Sequence, residues 1–387
     1  MTQSFTRIEL LRRGAAAGIV ISIPGVLAAC GGDDTEAAGT TTGGPKQLAK
    51  TLRFSNWTLY IDVDEKTKKH PTLDQFTQKT GIKVDYFEDI NDNASYFAKV
   101  QGPLSQGRGI DRDIFVFTDS SRYPQLLVSK EWVEPLDKDK IPNISNLIDA
   151  QKSPTFDPDR TYSLPWQSGM TGIAWNEDVT GPVTSIQQLL EDPKLKGKVT
   201  MLTEMADSMG LVMLDSGDDP SVVTDETFDK AIGRVQKAVD DGQIRRFTGN
   251  DYAQPLTKGD LAAAVAWSGD VVQLLASNPK LKWAIPEKGA MIWTDNMFVP
   301  LEGSSPTAST YMNFVYDPKI QAQIAAYVNY VPPVKGTREE LAKTDPETAK
   351  NTLIFPSDEM LSEVHSFSGE ALNNEDYIQK WQTVLGA

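Results

Sequence analysis

Three stretches of the sequence place aromatic rings beside carboxylates or hydroxyls just after a predicted strand. They carry Trp267 with Asp270, Trp293 with Asp295, and Trp57 with Thr58 and Tyr60. A flat aromatic face and an anion at one place suit a ligand that is both apolar and cationic. Ligands of open α/β folds bind at the carboxyl ends of strands. We therefore predict that the three stretches meet in one cleft and bind an amine.

A structural role is the competing interpretation of each tryptophan. A tryptophan near a strand end more commonly packs in a core or anchors the surface than binds a ligand. The repetition of the pattern at three predicted strand ends favours the ligand interpretation over packing alone.

Strand patterns alternate with helix patterns in two series, one on each side of residues 165–175. The predicted strands are Thr51–Trp57, Ile82–Phe87, Asp113–Phe117, Gly197–Leu202 and Leu261–Ala266, and the predicted helices between them include 71–79, 94–101, 184–191 with Thr184 as its cap, and 224–240. This alternation is typical of mostly parallel sheets and predicts an α/β protein with two similar lobes. Ile292–Pro300 and Tyr330–Pro333 are predicted to cross between the lobes as a hinge. We place the first lobe at 51–168 and 294–337, and the second at 169–293 and 338–387.

The first fifty residues are predicted to be an export and anchoring segment. A basic pair, Arg12 and Arg13, precedes the apolar run Gly14–Leu27 and the small residues before Cys30. This order is typical of a secretory signal peptide, here residues 1–29, and it leaves open general secretion or twin-arginine export. Leu27–Cys30 resembles a bacterial lipobox, and Cys30 is the only cysteine in the chain. We predict lipidation at Cys30 and a flexible tether over 30–50, which hold the domain at the outer face of the cytoplasmic membrane or in the periplasm.

Composition and charge exclude several classes of function. The chain has 387 residues and a net charge of −15, so phosphate-rich nucleic acid would be repelled. It contains only two histidines, His70 and His365, and neither stands in a metal-binding or catalytic motif. We therefore predict no catalytic residue, no metal and no cofactor. Three alternatives stay open: a glycosidase, a sugar-binding protein, and an iron(III)-binding protein that would need clustered tyrosines such as Tyr60 and Tyr330.

At Trp267–Asp270 and Trp293–Asp295 the chain resembles the spermidine/putrescine-binding lipoproteins and periplasmic proteins of bacterial ABC importers. The order and spacing of further stretches support the resemblance from about residue 51 to the end: Asn56–Trp57, Pro165–Asn176, Gly197–Glu204 and Asn329–Tyr330. The resemblance implies a type II periplasmic-binding-protein fold. It also implies a monomer that carries a polyamine to ABC permease subunits.

The same resemblance implies a role for each matching residue. Trp57 and Tyr60 would line the wall of the first lobe, and Tyr330 would close the cleft from the hinge side. Trp267 and Trp293 would sandwich the methylene chain, while Asp270 and Asp295 would pair with the amines. Thr118 and Ser120 would stand where the family has small or aromatic contacts.

The sequence departs from the family pattern in the helix after Leu202. A carboxylate is expected in its first turn, but counting along the chain places Ser208 there, with Asp207 one residue away. Glu204 and Asp207 are further candidate ligands, although acids in a first helical turn are also favoured by the helix dipole alone. Leu59 replaces an acid that some putrescine binders have, which leaves the length and charge of the ligand open.

Overall fold

A computed structural model describes residues 48–64, 66–275 and 277–386 of the chain. The predicted signal peptide, Cys30 and the tether up to residue 47 lie outside the described residues, so those assignments stay predictions. Within the described ranges, no helix combines the length and the apolar character that a bilayer crossing requires.

The first lobe is built on parallel strands with helices between them. Its first elements are β1 (Thr51–Trp57), α1 (Pro71–Thr80), β2 (Lys83–Ile90), α2 (Asn93–Ser105), β3 (Phe115–Thr118), α3 (Tyr123–Ser129) and β4 (Val133–Glu134). Strands β1 and β2 pair in parallel, and a bridge from Phe54 to Ile114 adds the chain just before β3. Proline at the first position and a left-handed Gly81 at the C-cap delimit α1, whereas the Asp92 carboxylate caps α2. All three strands therefore end on the same side of the lobe.

The second lobe repeats this arrangement. Its elements are α4 (Ile186–Glu191), β6 (Val199–Leu202), α5 (Met205–Asp215), α6 (Asp225–Asp240), β7 (Ile244–Thr248), α7 (Ala253–Lys258), β8 (Ala263–Trp267), α8 (Ser268–Leu275) and β9 (Leu281–Ala284). Strands β7, β6 and β8 lie side by side in parallel. Their carboxyl ends therefore share one edge, as the sequence pattern predicts.

Two long antiparallel strands cross between the lobes. Strand β5 (Ser163–Asn176) is buried along its whole length, and β10 (Ala290–Pro300) pairs with it from Met291 to Phe298. The register shifts between Asp295 and Asn296, which marks a bulge in the crossing region. Val331 adds a third segment through reciprocal backbone bonds to Ser168 of 2.8 and 2.9 Å. The predicted crossing strands are thus confirmed.

The last part of the chain returns to both lobes. It forms α9 (Ser305–Val315), α10 (Pro318–Val328), α11 (Thr337–Ala342), α12 (Asp358–Leu361), β11 (Val364–His365), α13 (Gly369–Leu372) and α14 (Glu375–Leu385). One hydrophobic core joins residues between 52 and 166 with 293–334, and another joins 173–291 with 367–384. Leu341 and Ala349, which the sequence analysis placed with the second lobe, pack against Ala322 of α10. The apolar faces of α10 and α11 thus hold this segment on the first lobe. Residues 338–387 therefore do not all belong to the second lobe.

Some predicted ends and caps differ locally from the structure. Ser185, rather than Thr184, caps α4, because the Ser185 hydroxyl accepts the Gln188 N–H. Strand β8 begins at Ala263 instead of Leu261 and includes Trp267. Trp267 consequently lies on the last residue of a strand and not in the loop that follows.

Candidate functional site

A concave cleft lies between the two lobes, which is where small-molecule sites commonly occur. It is lined by Trp57, Thr58, Tyr60, Asn93, Thr118, Ser120, Glu204, Asp207, Asn250, Trp267, Asp270, Trp293, Asp295 and Tyr330. Twelve of these residues were candidates from the sequence. Asn93 and Asn250 were missed, and Ser208 lies outside the lining. The structure thus brings the three predicted stretches together, while their role as ligand contacts stays a prediction.

The turn after β1 presents Trp57, Thr58 and Tyr60 to the cleft. Its shape depends on Leu59, which adopts the left-handed conformation that non-glycine residues seldom take (φ 57°). The Leu59 N–H donates to the Glu88 carboxylate of β2 at 2.6 Å. An acid is therefore present beside this turn, but it fixes the backbone from β2 and does not line the cleft.

Four aromatic rings form a connected floor. Trp293 lies 6.3 Å from Trp267 and 5.4 Å from Tyr330 between ring centroids, and Tyr330 lies 5.4 Å from Tyr60. Trp267 and Trp293 meet edge to face, at an interplanar angle of 76°. A sandwich of the ligand between these two rings is therefore wrong, because the rings already contact each other. They form a corner, along which an alkyl chain can lie.

Glycines beneath the rings set their positions. A Cβ atom on Gly169 of β5 would overlap the Trp293 indole, and one on Gly269 would lie 2.6 Å from the Tyr330 ring. Neither space admits a methyl group without moving the ring. Gly169 and Gly269 therefore allow close approach of side chains rather than a turn.

Asp295 is the acid on the crossing strands, and it is buried. Its Oδ1 accepts the Thr118 hydroxyl at 2.6 Å, and the Tyr60 hydroxyl faces the same carboxylate. Burial raises the pKa of Asp295 to about 7, and the negative charges of Asp119 and Asp207 act in the same direction. A carboxylate held in this state gains from a cation brought next to it.

Glu204 and Asp207 stand at the start of α5. Glu204 occupies the N-cap position without capping the helix; its Oε1 instead accepts the Asn93 amide at 3.2 Å from the opposite lobe. Asp207 accepts the Thr171 hydroxyl at 2.8 Å and the Trp267 indole N–H at 3.1 Å. Burial raises the pKa of Glu204 to about 7 and that of Asp207 to about 6. A purely helix-stabilising role does not account for Glu204.

Ser208 does not occupy the position that the residue count favoured. Helix α5 begins at Met205, so Asp207 faces the cleft while Ser208 is fully buried. The Ser208 hydroxyl donates to the Leu202 carbonyl at 2.7 Å. The acid that seemed one residue out of place is the one that lines the cleft.

Asp270 receives a donor on each side. Its Oδ2 accepts the Asn250 amide at 2.7 Å and the Tyr252 hydroxyl at 2.9 Å, and its Oδ1 accepts the Tyr330 hydroxyl at 2.9 Å. Three donors therefore converge on its two oxygens. The position of the Asp270 carboxylate is set by both lobes, because Tyr330 belongs to the crossing region.

Two further bonds connect the lobes outside the cleft lining, and we call them the interlobe latch. Arg122 before α3 pairs with Glu375 of α14 at 2.6 Å, and Gln125 accepts the Asn373 amide at 2.6 Å. Together with the Asn93–Glu204 bond they hold the lobes against each other. The structure is thus that of a closed cleft.

In the part of the chain that the structure describes, the lining contains four carboxylates and no lysine, arginine or histidine. An anionic ligand would be repelled, and a neutral ligand would bring no positive charge to these acids. Among the described residues, no group of three or more potential metal ligands comes together. The arrangement can bind an extended cation with apolar segments between its charges.

Comparisons with known proteins agree on the architecture and the class. The profile of a family described as "Bacterial extracellular solute-binding protein" matches residues 72–356. The "Spermidine/putrescine-binding periplasmic protein" of Escherichia coli K12 is 26% identical over 341 residues, which cover 85% of this chain and 91% of the relative. The "Putrescine-binding periplasmic protein PotF" of the same organism is 28% identical and covers 79% and 83%. The structure of the Tp0655 (TpPotD) lipoprotein of Treponema pallidum superposes with a TM-score of 0.72 at 20% identity, over 87% of this chain and all of the other.

Proposed function

This chain belongs to the bacterial extracellular solute-binding proteins, and from that premise we propose that it binds a polyamine such as putrescine or spermidine in the interlobe cleft. One observation carries the proposal. Four buried or half-buried carboxylates and a floor of aromatic rings line the cleft, and none of the described lining residues is basic. The printed names of the two Escherichia coli relatives support the same ligand class.

The chemistry of a polyamine matches the cleft group by group. Each ammonium can donate charge-assisted hydrogen bonds to a carboxylate, and each methylene segment can pack on the ring corner of Trp267 and Trp293. The aromatic faces of the lining can also attract the cationic ends. The Asp270 carboxyl group already accepts three hydrogen bonds. Burial raises the pKa values of Asp295 and Glu204, so a cation placed beside these two acids stabilises their ionised forms.

We further propose that the protein works outside the cytoplasmic membrane and delivers its ligand to an ABC permease. The predicted lipidation of Cys30 would keep the domain near that permease. Changing Cys30 to Ser should move the protein from the membrane fraction to the soluble extracytoplasmic fraction. Continued membrane association of this variant would contradict the anchor.

Calorimetry tests the ligand class. Purified protein is titrated with putrescine, spermidine, maltose and ferric citrate, because sugar and iron(III) binders are the alternatives of the same fold. We expect heat and saturation with the amines only. Asp295→Asn and Asp270→Asn should each weaken amine binding by about 100-fold, since truncating one partner of a buried charge pair costs about 2–5 kcal/mol.

Val222→Ser serves as the control, because Val222 is exposed and outside the cleft lining. It should bind amines as tightly as the unchanged protein. Saturable binding of maltose or iron without amine binding would overturn the proposal.

A further inference from the structure

Asn93 is a cleft residue that the sequence pattern did not single out. It is the first residue of α2 and is only 2% exposed. The Asp92 side chain caps the helix, so the Asn93 side chain is not needed for that purpose. It points instead to Thr118 of its own lobe and to Glu204 of the other.

The orientation of the Asn93 amide follows from its partners. Its Oδ1 accepts the backbone N–H of Thr118 at 3.1 Å, and a backbone N–H can only donate. The amino group must then face the other way, where it lies 3.0 Å from the Thr118 hydroxyl and 3.2 Å from Glu204 Oε1. The positions of the amide oxygen and of the amino group of Asn93 are therefore both fixed.

This orientation of the Asn93 amide determines where the hydrogen of the Thr118 hydroxyl points. The Thr118 hydroxyl has one hydrogen, and because it accepts from Asn93 it can direct that hydrogen to Asp295 Oδ1, 2.6 Å away. If Asp295 carried a proton on Oδ1, the hydroxyl could no longer donate to that oxygen and would have to direct its hydrogen elsewhere. The chain of donors thus favours an unprotonated Oδ1 on Asp295.

We propose that Asn93 is a positioning residue of the cleft, whose single amide keeps Asp295, through Thr118, and Glu204, directly, as hydrogen-bond acceptors for a bound cation. The proposal rests on the proposed function for the identity of that cation. It adds a residue that contacts Glu204 directly and reaches Asp295 through the Thr118 hydroxyl. Because Asn93 bonds to Glu204 of the other lobe, it couples the ionisation of the two acids to closure of the lobes.

Other groups act on the same two acids and set the background for a pH measurement. Those facing Asp295 and Glu204 are Tyr60, Asp92, Asp119, Tyr123 and Asp207. Of these groups, Tyr60 shares a hydrogen bond with Asp295, and the other four act through their charge or proximity. Thr118 and Asn93 are separate hydrogen-bond donors to the two acids. Burial and the surrounding acids raise the pKa values, while the Thr118 and Asn93 bonds lower them.

The test compares Asn93→Ala and Asn93→Ser with the unchanged protein from about pH 5.5 to about 8.5. Putrescine affinity of the unchanged protein should rise with pH and level off above the pKa values of the two acids. We expect the midpoint of this rise to move up by about one pH unit in both variants, with about tenfold weaker binding near pH 7 and near recovery at the alkaline end.

Asn250→Ala is the matched control, because it removes an amide donor from Asp270 and leaves Asn93, Thr118 and Glu204 in place. It should weaken binding without moving the midpoint. Thr118→Val interrupts only the branch to Asp295, so its effect and that of Asn93→Ala on the midpoint should be less than additive. This variant also carries the test if both Asn93 variants fail to fold.

Unfolding of the ligand-free protein against pH gives a second readout that needs no ligand. The same upward shift should appear there, so the inference can be judged even if polyamines do not bind at all. Equal weakening of binding at every pH, with an unchanged ligand-free profile, would overturn the role of Asn93. Absence of amine binding with a shifted ligand-free profile would instead overturn only the proposed function.

Discussion

Replacing Asp295 by asparagine should affect binding and stability in opposite directions. In the folded protein the pKa of Asp295 is raised from 3.8 to about 7, so the folded state holds a proton between these values that the unfolded state has lost. The stabilising contribution of the protonated group is complete below about pH 4, and it is lost as the pH rises through about 7. Asparagine cannot ionise and keeps an oxygen for the Thr118 hydroxyl. The ligand-free variant should therefore escape the loss.

The size of the effect follows from the two pKa values. Their difference corresponds to a penalty of about 4 kcal/mol against the ionised form in the ligand-free protein. Part of this penalty is already present at pH 5, so its increase between about pH 5 and about pH 8 is about 2–3 kcal/mol. The free energy of unfolding of the variant should gain this amount, relative to the unchanged protein, between the two pH values.

Urea unfolding followed by tryptophan fluorescence at both pH values measures the gain. Asp270→Asn is the contrasting variant, because it replaces an acceptor of three donors by a side chain with one oxygen. It should lower the free energy of unfolding by about 1–3 kcal/mol. Both variants should lose amine affinity. A stability change for Asp295→Asn that is the same at the two pH values would refute the reasoning.

Three further outcomes are expected. Amine binding near pH 7 should release roughly one proton, because the two cleft acids with pKa values of about 7 become fully ionised; calorimetric heats that do not depend on the ionisation heat of the buffer would contradict this. Gly169→Ala should displace the Trp293 indole and weaken binding by at least about tenfold, whereas Gly233→Ala, which has open space around it, should bind normally and gain up to about 1 kcal/mol of stability. Arg122→Ala should open the latch to Glu375 and speed ligand release in stopped-flow measurements by no more than about fivefold, since solvent screens a pair whose carboxylate is exposed; a much larger change would mean that the latch, rather than the cleft, holds the protein closed.

The sequence predicted the site better than its fine geometry. Trp57, Thr118 and Trp267 could be placed because each ends or nearly ends a strand, and strand ends of this fold share a cleft. The edge-to-face contact of Trp267 with Trp293 could not be foreseen, since it depends on the register of β10 against β5 and on the space over Gly169.

The two missed asparagines follow the same rule as the residues that were found. Asn93 comes three residues after β2, and Asn250 two residues after β7. A search for every polar residue after a strand would have included both, whereas a search led by tryptophan and carboxylate did not. The choice between Asp207 and Ser208 needed the first residue of α5, and sequence patterns locate helix ends only within a few residues.

The position of Trp293 and Asp295 on β10 has a consequence for the order of events. When two bodies rotate about shared strands, the residues on the axis are displaced least, so this part of the cleft should persist in an open protein. We therefore expect an incoming amine to contact Asp295 first, and to contact Glu204 and Asp207 only when the second lobe closes. Ligand capture would then show a fast concentration-dependent phase followed by a slower one that no longer depends on concentration. On release the order would reverse, and the ammonium on the axis would be the last to leave.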